Sequence, residues 1–346
     1  MSGPIAYVME QTLGSVTHYL NLKREGLLND SSDTPRWLPI DYQAGRLPWT
    51  LRGSLAARAA LGPLLPELGG IFIHTTTLAP FCVDYFKRKP AVLSTDGTPM
   101  NKRDMRGLYG LKAESRAAEW AKRSFYREVF ARATAFVGWS NWVKQSFVED
   151  YGCNEDDVAV IPPGVDLDQF VPGDRDHELA RILFVGGDFE RKGGDLLLDV
   201  FRKRLRGKAE LVLVTRSGPP SEPGVSVRTN VSPNSSELRE LYATCDVFAL
   251  PTRADCYSLV AMEALAAGLP IVATRVGGIP DVIRPDETGY LIDVDAGAAL
   301  GDALEALVAD AVRRRRMAEA CRLDAAQRFD IRANARRLFQ FVRSRC

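Results

Sequence analysis

The sequence predicts an α/β protein with two domains, each built around a parallel sheet. At 346 residues the chain is longer than one ordinary domain and suits two. Short apolar runs alternate with helix-forming segments along its length, which is typical of parallel sheets covered by helices. A break in composition at Pro172-Gly173-Asp174 separates the two halves. With 46% hydrophobic and 26% charged residues, both halves can bury a core.

The first half opens with an apolar strand at residues 5–9, a loop at 10–15 that contains Gly14, and a helix at 16–28. A glycine loop between a first strand and a helix is where an α/β domain lets a ligand approach the backbone. Gly14 is therefore a candidate binding residue, with a plain turn glycine as the alternative. Residues 30–49 are predicted to be loop with room for one short strand. The remaining strands are predicted at 70–75, 91–96, 135–140 and 158–161, and the remaining helices at 54–65 and 141–150.

The second half repeats the alternation and predicts a second Rossmann-like domain. It begins with a buried strand at 181–185, which a Gly-Gly turn separates from a helix that starts at Asp195. Residues 216–230 contain glycine and proline and are predicted to be a long loop. The other strands are predicted at 211–215, 247–250, 271–274 and 289–292, and the helices at 236–243, 259–267, 296–309, 312–328 and 332–345.

Charge and cysteine usage exclude several classes of protein. The net charge of +1 gives no general attraction to nucleic acid. The six cysteines lie far apart without a Cys-x-x-Cys pair, which favours free thiols in a reducing compartment over a zinc site. No apolar stretch approaches the roughly 20 residues of a membrane span. The expected location is cytoplasmic, with contact at a membrane surface still open.

The most informative stretch runs from Asp246 to Asp281, where two acids frame the start of a helix. Asp255 lies in the loop that follows an apolar strand, and Glu263 lies eight residues further on in the helix. The first turn of that helix offers unpaired N–H groups at Ser258, Leu259 and Val260. Because the N-terminus of a helix also carries a partial positive charge, phosphate is the natural ligand there. A simple N-terminal cap is the alternative for Asp255.

This stretch resembles the Glu-x7-Glu element of the retaining GT-B glycosyltransferases, in particular glycosyltransferase family four. The resemblance continues through Gly277-Gly278-Ile279-Pro280-Asp281. It implies a GT-B fold, with two Rossmann-like domains facing across a deep interdomain cleft. It also implies that Asp255 binds the hydroxyls of the donor sugar and Glu263 the ribose of the nucleotide. Asp255 replaces the glutamate that the family usually has, and this departure leaves the identity of the sugar open.

A second basic element precedes this stretch. Arg191 and Lys192 lie in a loop bounded by glycines, directly after the strand at 181–185. The loop resembles the family's Gly-x5-Lys-Gly element, whose basic residues bind the diphosphate; an ordinary surface loop is the alternative. Arginine can bind phosphate as a fork and lysine as a point charge. With Arg191, Lys192 and Asp255 as catalytic residues, no metal or other cofactor is expected, and the triplets at 166–168 and 293–295 are interpreted as turn acids.

The strand ends of the first half supply weaker candidates. Asp96 and His74 each follow or end a buried strand, where ligands of open α/β sheets bind. Asp96 is expected to contact sugar or acceptor, or otherwise to cap the following turn. In the family a histidine near the transferred sugar often precedes this acid, whereas here the position is Thr95. His18 and His74 are weaker candidates still, since a lone histidine is usually structural.

The segment 87–132 is the one conspicuous block of charge. It holds 12 basic and 5 acidic residues, a net charge of +7, with Tyr109, Trp120, Phe125 and Tyr126 interleaved. Such a surface can bind anionic lipid headgroups or an acidic acceptor. A solvated helix face is the more ordinary interpretation.

Together these features predict a retaining hexosyltransferase that uses a nucleotide-diphosphate sugar and a hydroxyl acceptor. The resemblance favours a UDP-hexose as donor, with GDP-mannose next. The N-terminal domain is expected at 1–172, joined by a C-terminal helix at about 331–346 that crosses back, and the nucleotide-sugar domain at 173–330. Alternatives are a phosphorylase or an epimerase of the same fold, or a nucleotide-sugar-binding scaffold protein without activity.

Overall fold

The structure, a computed structural model, describes residues 3–12, 14–28, 35–42, 48–110 and 112–346. Within these ranges the strands form two six-stranded sheets, and all the strand pairs in both sheets are parallel. The chain divides into two compact units. The first comprises Met1–Asp104, Lys112–Gly164 and Ile331–Cys346, and the second comprises Met105–Leu111 and Val165–Asp330.

The sheet of the first unit has the strand order β2-β1-β3-β4-β5-β6. Its strands are β1 (Ile5–Glu10), β2 (Arg36–Ile40), β3 (Gly70–His74), β4 (Ala91–Thr95), β5 (Ala135–Gly138) and β6 (Val158–Val160). The helices that follow them in the chain are α1 (Gly14–Leu28), α2 (Trp49–Leu61), α3 (Val83–Phe86), α4 (Arg116–Phe130) and α5 (Asn141–Gln145), the last continuing as a π-helical turn at Ser146–Asp150. Because β3 and β4 are buried on both faces, their sequences are almost continuously apolar.

The sheet of the second unit has the order β12-β11-β10-β7-β8-β9. Its strands are β7 (Ala180–Val185), β8 (Ala209–Val214), β9 (Val225–Arg228), β10 (Val247–Leu250), β11 (Ile271–Thr274) and β12 (Gly289–Ile292). The helices are α6 (Gly194–Val200), which continues as a π-helical turn at Phe201–Leu205, α7 (Ser236–Thr244), α8 (Leu259–Ala266), α9 (Gly297–Ala309) and α10 (Ala311–Arg328). The strands β10 and β7 are direct neighbours and run parallel, so the loops that follow them leave the sheet side by side.

The last helix, α11 (Ile331–Arg345), belongs to the first unit although it follows the second in sequence. Its apolar face packs on one side of the first sheet, where Phe339 and Leu338 join the core around Tyr7 and Phe72. The Tyr7 and Phe339 rings meet edge to face with their centroids 5.6 Å apart. A segment distant in sequence therefore completes the core of the first unit.

Three local predictions differ from the structure. Residues 216–230, predicted to be loop, contain the edge strand β9, and α2 begins at Trp49, five residues earlier than predicted. Gly14, expected in the loop after β1, is the first residue of α1 and is exposed. Edge strands and helix starts have weak apolar patterns because only part of their surface is buried, and this explains the differences.

Candidate active site

The candidate site lies in the second unit, at the carboxyl ends of β7 and β10. These strands are direct neighbours, with Val247 paired to Ile182 and Phe248 to Leu183. The loop after β7 carries Arg191 and Lys192, and the loop after β10 carries Asp255. Since parallel strands end at the same edge of a sheet, the two loops are brought together there.

Lys192 and Asp255 form an ion pair at the centre of the site. The Nζ atom of Lys192 lies 2.5 Å from Oδ2 of Asp255, and the side chains are only 14% and 10% exposed. The predicted catalytic lysine and acid are thus in direct contact although 63 residues separate them in the sequence. A sheltered pair of this kind interacts more strongly than one at an open surface.

Arg191 is held beside this pair by the backbone of the same loop as Asp255. Its Nη1 donates to the Ala254 carbonyl at 2.8 Å, and its Nε donates to Oδ2 of Asp188 at 3.2 Å. The Cζ atom of Arg191 lies over the ring of Tyr109, 4.7 Å from the ring centroid. The structure therefore gathers Arg191, Lys192 and Asp255 at one edge of the second sheet.

Two glycines allow these loops to approach so closely. Gly193 has φ +76°, and a Cβ there would lie 2.0 Å from the Pro251 carbonyl oxygen. Gly277 has φ +55°, and a Cβ there would lie 2.1 Å from the carbonyl oxygen of Asp255. Both positions need the left-handed conformation and the absence of a side chain. The glycines predicted on either side of the site thus define the path of the backbone.

The N-terminus of α8 meets the same loop. Ser258 is the N-cap, and its Oγ accepts a hydrogen bond from the Ala261 N–H at 3.3 Å. The amides of Leu259 and Val260 lie in the first turn, where an α-helix supplies no acceptor of its own. Of the three residues predicted to bind phosphate, Ser258 thus uses its hydroxyl as a cap, while Leu259 and Val260 present their amides.

Glu263 lies one turn further along α8 and is buried, with 8% of its surface exposed. Burial raises the pKa of its carboxyl to about 7, and a hydrogen bond with Tyr242 opposes that shift. Within the described residues its Oε2 atom has no hydrogen-bond partner. Buried carboxylate oxygens are rarely left unpaired, so this atom is suited to accept a hydrogen bond from a ligand.

The candidates from the first half lie in the first unit. Asp96 follows β4 and pairs with Lys102, whose Nζ is 3.0 Å from Oδ1. Thr95, at the position where the family often has histidine, donates its hydroxyl to the Gly97 carbonyl at 2.9 Å. Gly14 lies at the exposed start of α1. Substrate binding by Gly14 and Asp96 stays a prediction.

Two buried histidines and a tryptophan cluster in the first unit. The ring of His74 stacks on Trp139 at 4.9 Å, and His18 contacts both rings. Burial lowers the pKa of His74 to about 3 and that of His18 well below its usual value, so both rings are neutral at pH 7. Nδ1 of His74 lies 3.2 Å from the Ser94 hydroxyl, while its Nε2 and both nitrogens of His18 have no partner in the described part of the chain.

The two Asp-x-Asp triplets lie in turns. Asp166 accepts a hydrogen bond from the Asp168 N–H at 3.1 Å, and Asp295 accepts one from Nε of Arg253 at 2.8 Å. No group of three or more His, Cys, Asp and Glu side chains suited to a metal ion occurs in the ranges that the structure describes. None of the helices in these ranges is both long and apolar enough to cross a membrane.

Sequence reasoning did not identify three contacts of the site: Tyr109, Asp188 and Tyr242. Asp188 could have been found, because it lies three residues before Arg191 in the same loop. Tyr242 on α7 and Tyr109 carry no local signal. Their roles follow only from packing, since Tyr242 lies 21 residues before Glu263 and Tyr109 lies 82 residues before Arg191.

Two models of protein families match this chain. The sequence model described as "Glycosyl transferases group 1" matches residues 180–310, and the one described as "Glycosyltransferase Family 4" matches residues 24–169. The two matches are complementary and together cover most of both units. The chain belongs to glycosyltransferase family four.

Among the relatives of this family-four chain are proteins named D-inositol 3-phosphate glycosyltransferase. That of Xylanimonas cellulosilytica is 34% identical over 229 residues, which are 58% of this chain and 55% of the relative. That of Nocardia farcinica is 32% identical over 235 residues, which are 59% of this chain and 52% of the relative. The chain spans about half the length of the curated relatives it matches.

Solved structures show the same fold along nearly the whole family-four chain. The sucrose-phosphate synthase of Thermosynechococcus elongatus aligns with a TM-score of 0.76 at 18% identity, covering 99% of each chain. Anabaena HepE in complex with UDP-glucose aligns with a TM-score of 0.73 at 15% identity, covering 99% of this chain and 100% of HepE. The fold is therefore GT-B, with two Rossmann-like domains, as predicted.

Proposed function

We propose that this chain is a retaining glycosyltransferase that moves a hexose from a nucleotide-diphosphate sugar to a hydroxyl group. The observation that carries the proposal is the cluster of Arg191, Lys192 and Asp255 at the start of α8. This cluster offers two cations and helix amides for a diphosphate, and a carboxylate for a sugar. The unpaired buried oxygen of Glu263 adds an acceptor for ribose hydroxyls.

Departure of the diphosphate is the difficult part of the reaction, because negative charge develops on it as the glycosidic bond breaks. Arg191 and Lys192 supply positive charge next to the helix amides of Leu259 and Val260. Fixed charges in a sheltered site stabilise such a transition state without reorganising. The acceptor hydroxyl attacks on the face that the diphosphate leaves, and a phosphate oxygen takes its proton. This route requires no nucleophilic side chain.

The acids orient the donor. Glu263 accepts hydrogen bonds from the ribose hydroxyls, and Asp255 accepts them from the sugar. Asp255 is one methylene shorter than the usual glutamate and pairs with Lys192 at 2.5 Å, so its reach toward the sugar differs from that of a glutamate. The donor preference therefore depends on this aspartate.

The proposed donor is a UDP-hexose, with GDP-mannose as the next choice. HepE, which shares the fold, was solved with UDP-glucose, and the Xylanimonas and Nocardia relatives are named D-inositol 3-phosphate glycosyltransferases. For this chain the proposed acceptor class is accordingly a polyol phosphate, whose hydroxyl receives the sugar. Since Arg191, Lys192 and the α8 amides would supply positive charge to the diphosphate, the reaction is proposed to need no metal.

The decisive experiment measures release of UDP or GDP from a panel of nucleotide sugars, with and without inositol phosphate as acceptor. We expect acceptor-dependent release that persists in EDTA. Lys192→Ala should reduce kcat more than donor affinity, whereas Lys203→Ala should change neither, because Lys203 is 69% exposed on the far end of the helix that follows the phosphate loop.

Two results would contradict the proposal. Nucleotide binding without turnover would favour a scaffold that kept the fold and lost catalysis. A free sugar phosphate or an epimerised nucleotide sugar among the products would favour a phosphorylase or an epimerase. Anomeric configuration of the product, read by NMR, separates retention from inversion.

We further propose that the first unit contacts membrane surfaces that contain anionic lipid. The outward face of α4 exposes Trp120 to 72% and Phe125 to 50%. Ala117 and Ala121 lie between them on the same helical face and are also exposed. Exposed Arg116 flanks this stripe, and the segment 87–132 carries +7. An apolar stripe beside excess positive charge is complementary to an anionic bilayer surface.

Vesicles of phosphatidylcholine with and without phosphatidylglycerol test the lipid contact. We expect co-sedimentation with the anionic vesicles that weakens with salt and is lost in Trp120→Glu/Phe125→Glu. The matched control is Val312→Glu/Leu323→Glu on α10, where the two side chains are 70% and 62% exposed. Equal binding by both double variants would contradict the assignment, as would concentration-dependent dimerisation through α4 without lipid binding.

A further inference from the structure

A short segment of the chain leaves the first unit and joins the second. Met105–Leu111 packs with the second unit, whereas the residues on both sides of it, up to Asp104 and from Lys112, pack with the first. Its residues Arg106–Tyr109 form one turn of 3₁₀ helix, which ends at Gly110 with φ +70°. This left-handed glycine turns the chain directly after Tyr109.

The side chain at the end of this turn lies on the candidate phosphate loop. The ring of Tyr109 faces the guanidinium of Arg191, 4.7 Å from its Cζ atom, and Tyr109 itself is half-buried. The loop of Arg191 reaches Tyr109 although 82 residues separate the two in the sequence. Arg191 is correspondingly only 15% exposed.

The contact with Tyr109 leaves the N–H donors of Arg191 available for other partners. A cation–π contact attracts a guanidinium without using any of its N–H donors. Nη1 and Nε of Arg191 are directed to Ala254 and Asp188. Those two bonds fix the orientation of the guanidinium, and the Tyr109 ring restricts its movement on the side where Cζ lies over the ring. The cation–π attraction also replaces part of the hydration that Arg191 loses on burial.

We propose that Tyr109 is a positioning residue for Arg191, which it holds with its donor edge directed at the leaving diphosphate. This inference rests on the proposed function. Tyr109 acts through its ring rather than its hydroxyl, and it acts most strongly when the diphosphate carries its full charge. Its loss should therefore affect catalysis and product binding more than binding of the intact donor.

The test compares three variants by steady-state kinetics and by calorimetry with UDP and GDP. Tyr109→Leu should reduce kcat about tenfold, the order expected for one partly desolvated cation–π contact, and weaken binding of the nucleotide product by a similar factor. The KM for the donor should stay within about twofold of wild type. Tyr109→Phe keeps the ring and should restore kcat and product affinity. Leu108→Ala, in the same 3₁₀ turn and 42% exposed, is the matched control for damage to the segment.

The outcomes separate this inference from the proposed function. If wild type binds neither nucleotide and releases none, the proposed function fails and the inference falls with it. If wild type is active and Tyr109→Leu equals Leu108→Ala in both readouts, only the positioning role fails. A higher kcat in Tyr109→Leu would also overturn the inference, because Tyr109 would then be obstructing the site.

Discussion

At the scale of single residues, Glu263 combines three properties that seldom occur together on the same carboxylate. It is buried, its pKa is raised to about 7, and one oxygen has no partner among the described residues. A buried carboxylate oxygen without a hydrogen-bond partner lowers the stability of the folded chain, and a ligand with hydroxyl groups removes that cost. These properties are those expected of a residue retained for binding.

Replacement of Glu263 by alanine should weaken nucleotide binding at least tenfold, about 1.4 kcal/mol. The physical reason is the loss of two hydrogen bonds from the ribose hydroxyls to a charged acceptor. Calorimetry with UDP and GDP checks the prediction. A deoxyribose nucleotide should lose less affinity on mutation than the ribose form, and an unchanged affinity for the ribose form would remove the ribose assignment.

The same carboxyl should make stability depend on pH. Its pKa rises from 4.5 in the unfolded chain to about 7 in the folded one, so the folded state binds the extra proton between these values. Stability from this group is therefore fully present below about pH 4.5 and is lost as the pH rises through 7, by an amount of the order of 3 kcal/mol.

Urea denaturation of wild type and Glu263→Gln at pH 5 and pH 8 measures this effect. We expect the glutamine variant to lose less stability than wild type between the two pH values, since glutamine does not ionise. Parallel pH profiles for the two proteins would show that Glu263 keeps an ordinary pKa.

At the scale of elements, the site depends on two loops that approach each other at the carboxyl ends of β7 and β10. The Arg253 N–H donates to the Arg191 carbonyl at 2.9 Å, and Thr274 at the end of β11 donates its hydroxyl to the Thr252 carbonyl. Such cross-loop bonds hold Lys192 against Asp255. Without these bonds, formation of the ion pair would have to order both loops and would cost their conformational entropy.

Gly193→Ala should separate the loops that follow β7 and β10. The new Cβ would lie 2.0 Å from the Pro251 carbonyl oxygen at a φ of +76°, whereas Gly207, with φ +77°, has nothing within 4 Å of its Cβ position. Both variants bear the backbone strain of about 1 kcal/mol that alanine has in the left-handed region. Gly193→Ala should cost substantially more than Gly207→Ala and should also abolish nucleotide binding. Chemical denaturation and calorimetry compare them, and equal costs would mean that the loops do not depend on this contact.

At the scale of the whole molecule, the two units are not two consecutive stretches of the sequence. The helix α11 follows all the elements of the second unit and completes the core of the first. The first unit therefore cannot finish folding until the C-terminal residues are available. Phe339, 3% exposed among Tyr7 and Trp37, is the central residue of this contact.

Phe339→Ala should destabilise the first unit by about 3–5 kcal/mol, the usual cost of emptying a buried phenylalanine site. Gln340→Ala, on the exposed side of the same helix, should cost less than about 0.5 kcal/mol. Denaturation followed by tryptophan fluorescence reports on the first unit, because all five tryptophans lie in it: Trp37, Trp49, Trp120, Trp139 and Trp142. If Phe339→Ala lost no more stability than Gln340→Ala, α11 would contribute little to the core.

The sequence by itself determined the fold class, the family and most strands and helices. Buried parallel strands appear as short apolar runs, and amphipathic helices appear as apolar residues repeated every three to four positions. It also supplied Arg191, Lys192, Asp255 and Glu263, since their motifs keep a fixed spacing along short segments.

Only the tertiary structure decided how these residues are partnered. The pairing of Lys192 with Asp255, the unpaired oxygen of Glu263 beside Tyr242, and the ring of Tyr109 on Arg191 all join segments separated by about 20 to 80 residues. No local pattern encodes such contacts, because the packing of whole elements, and not the spacing of neighbours, sets the distance between them. For the same reason the edge strand β9 was missed: only Val225 of its four residues is buried, and β9 becomes a strand only by pairing with β8.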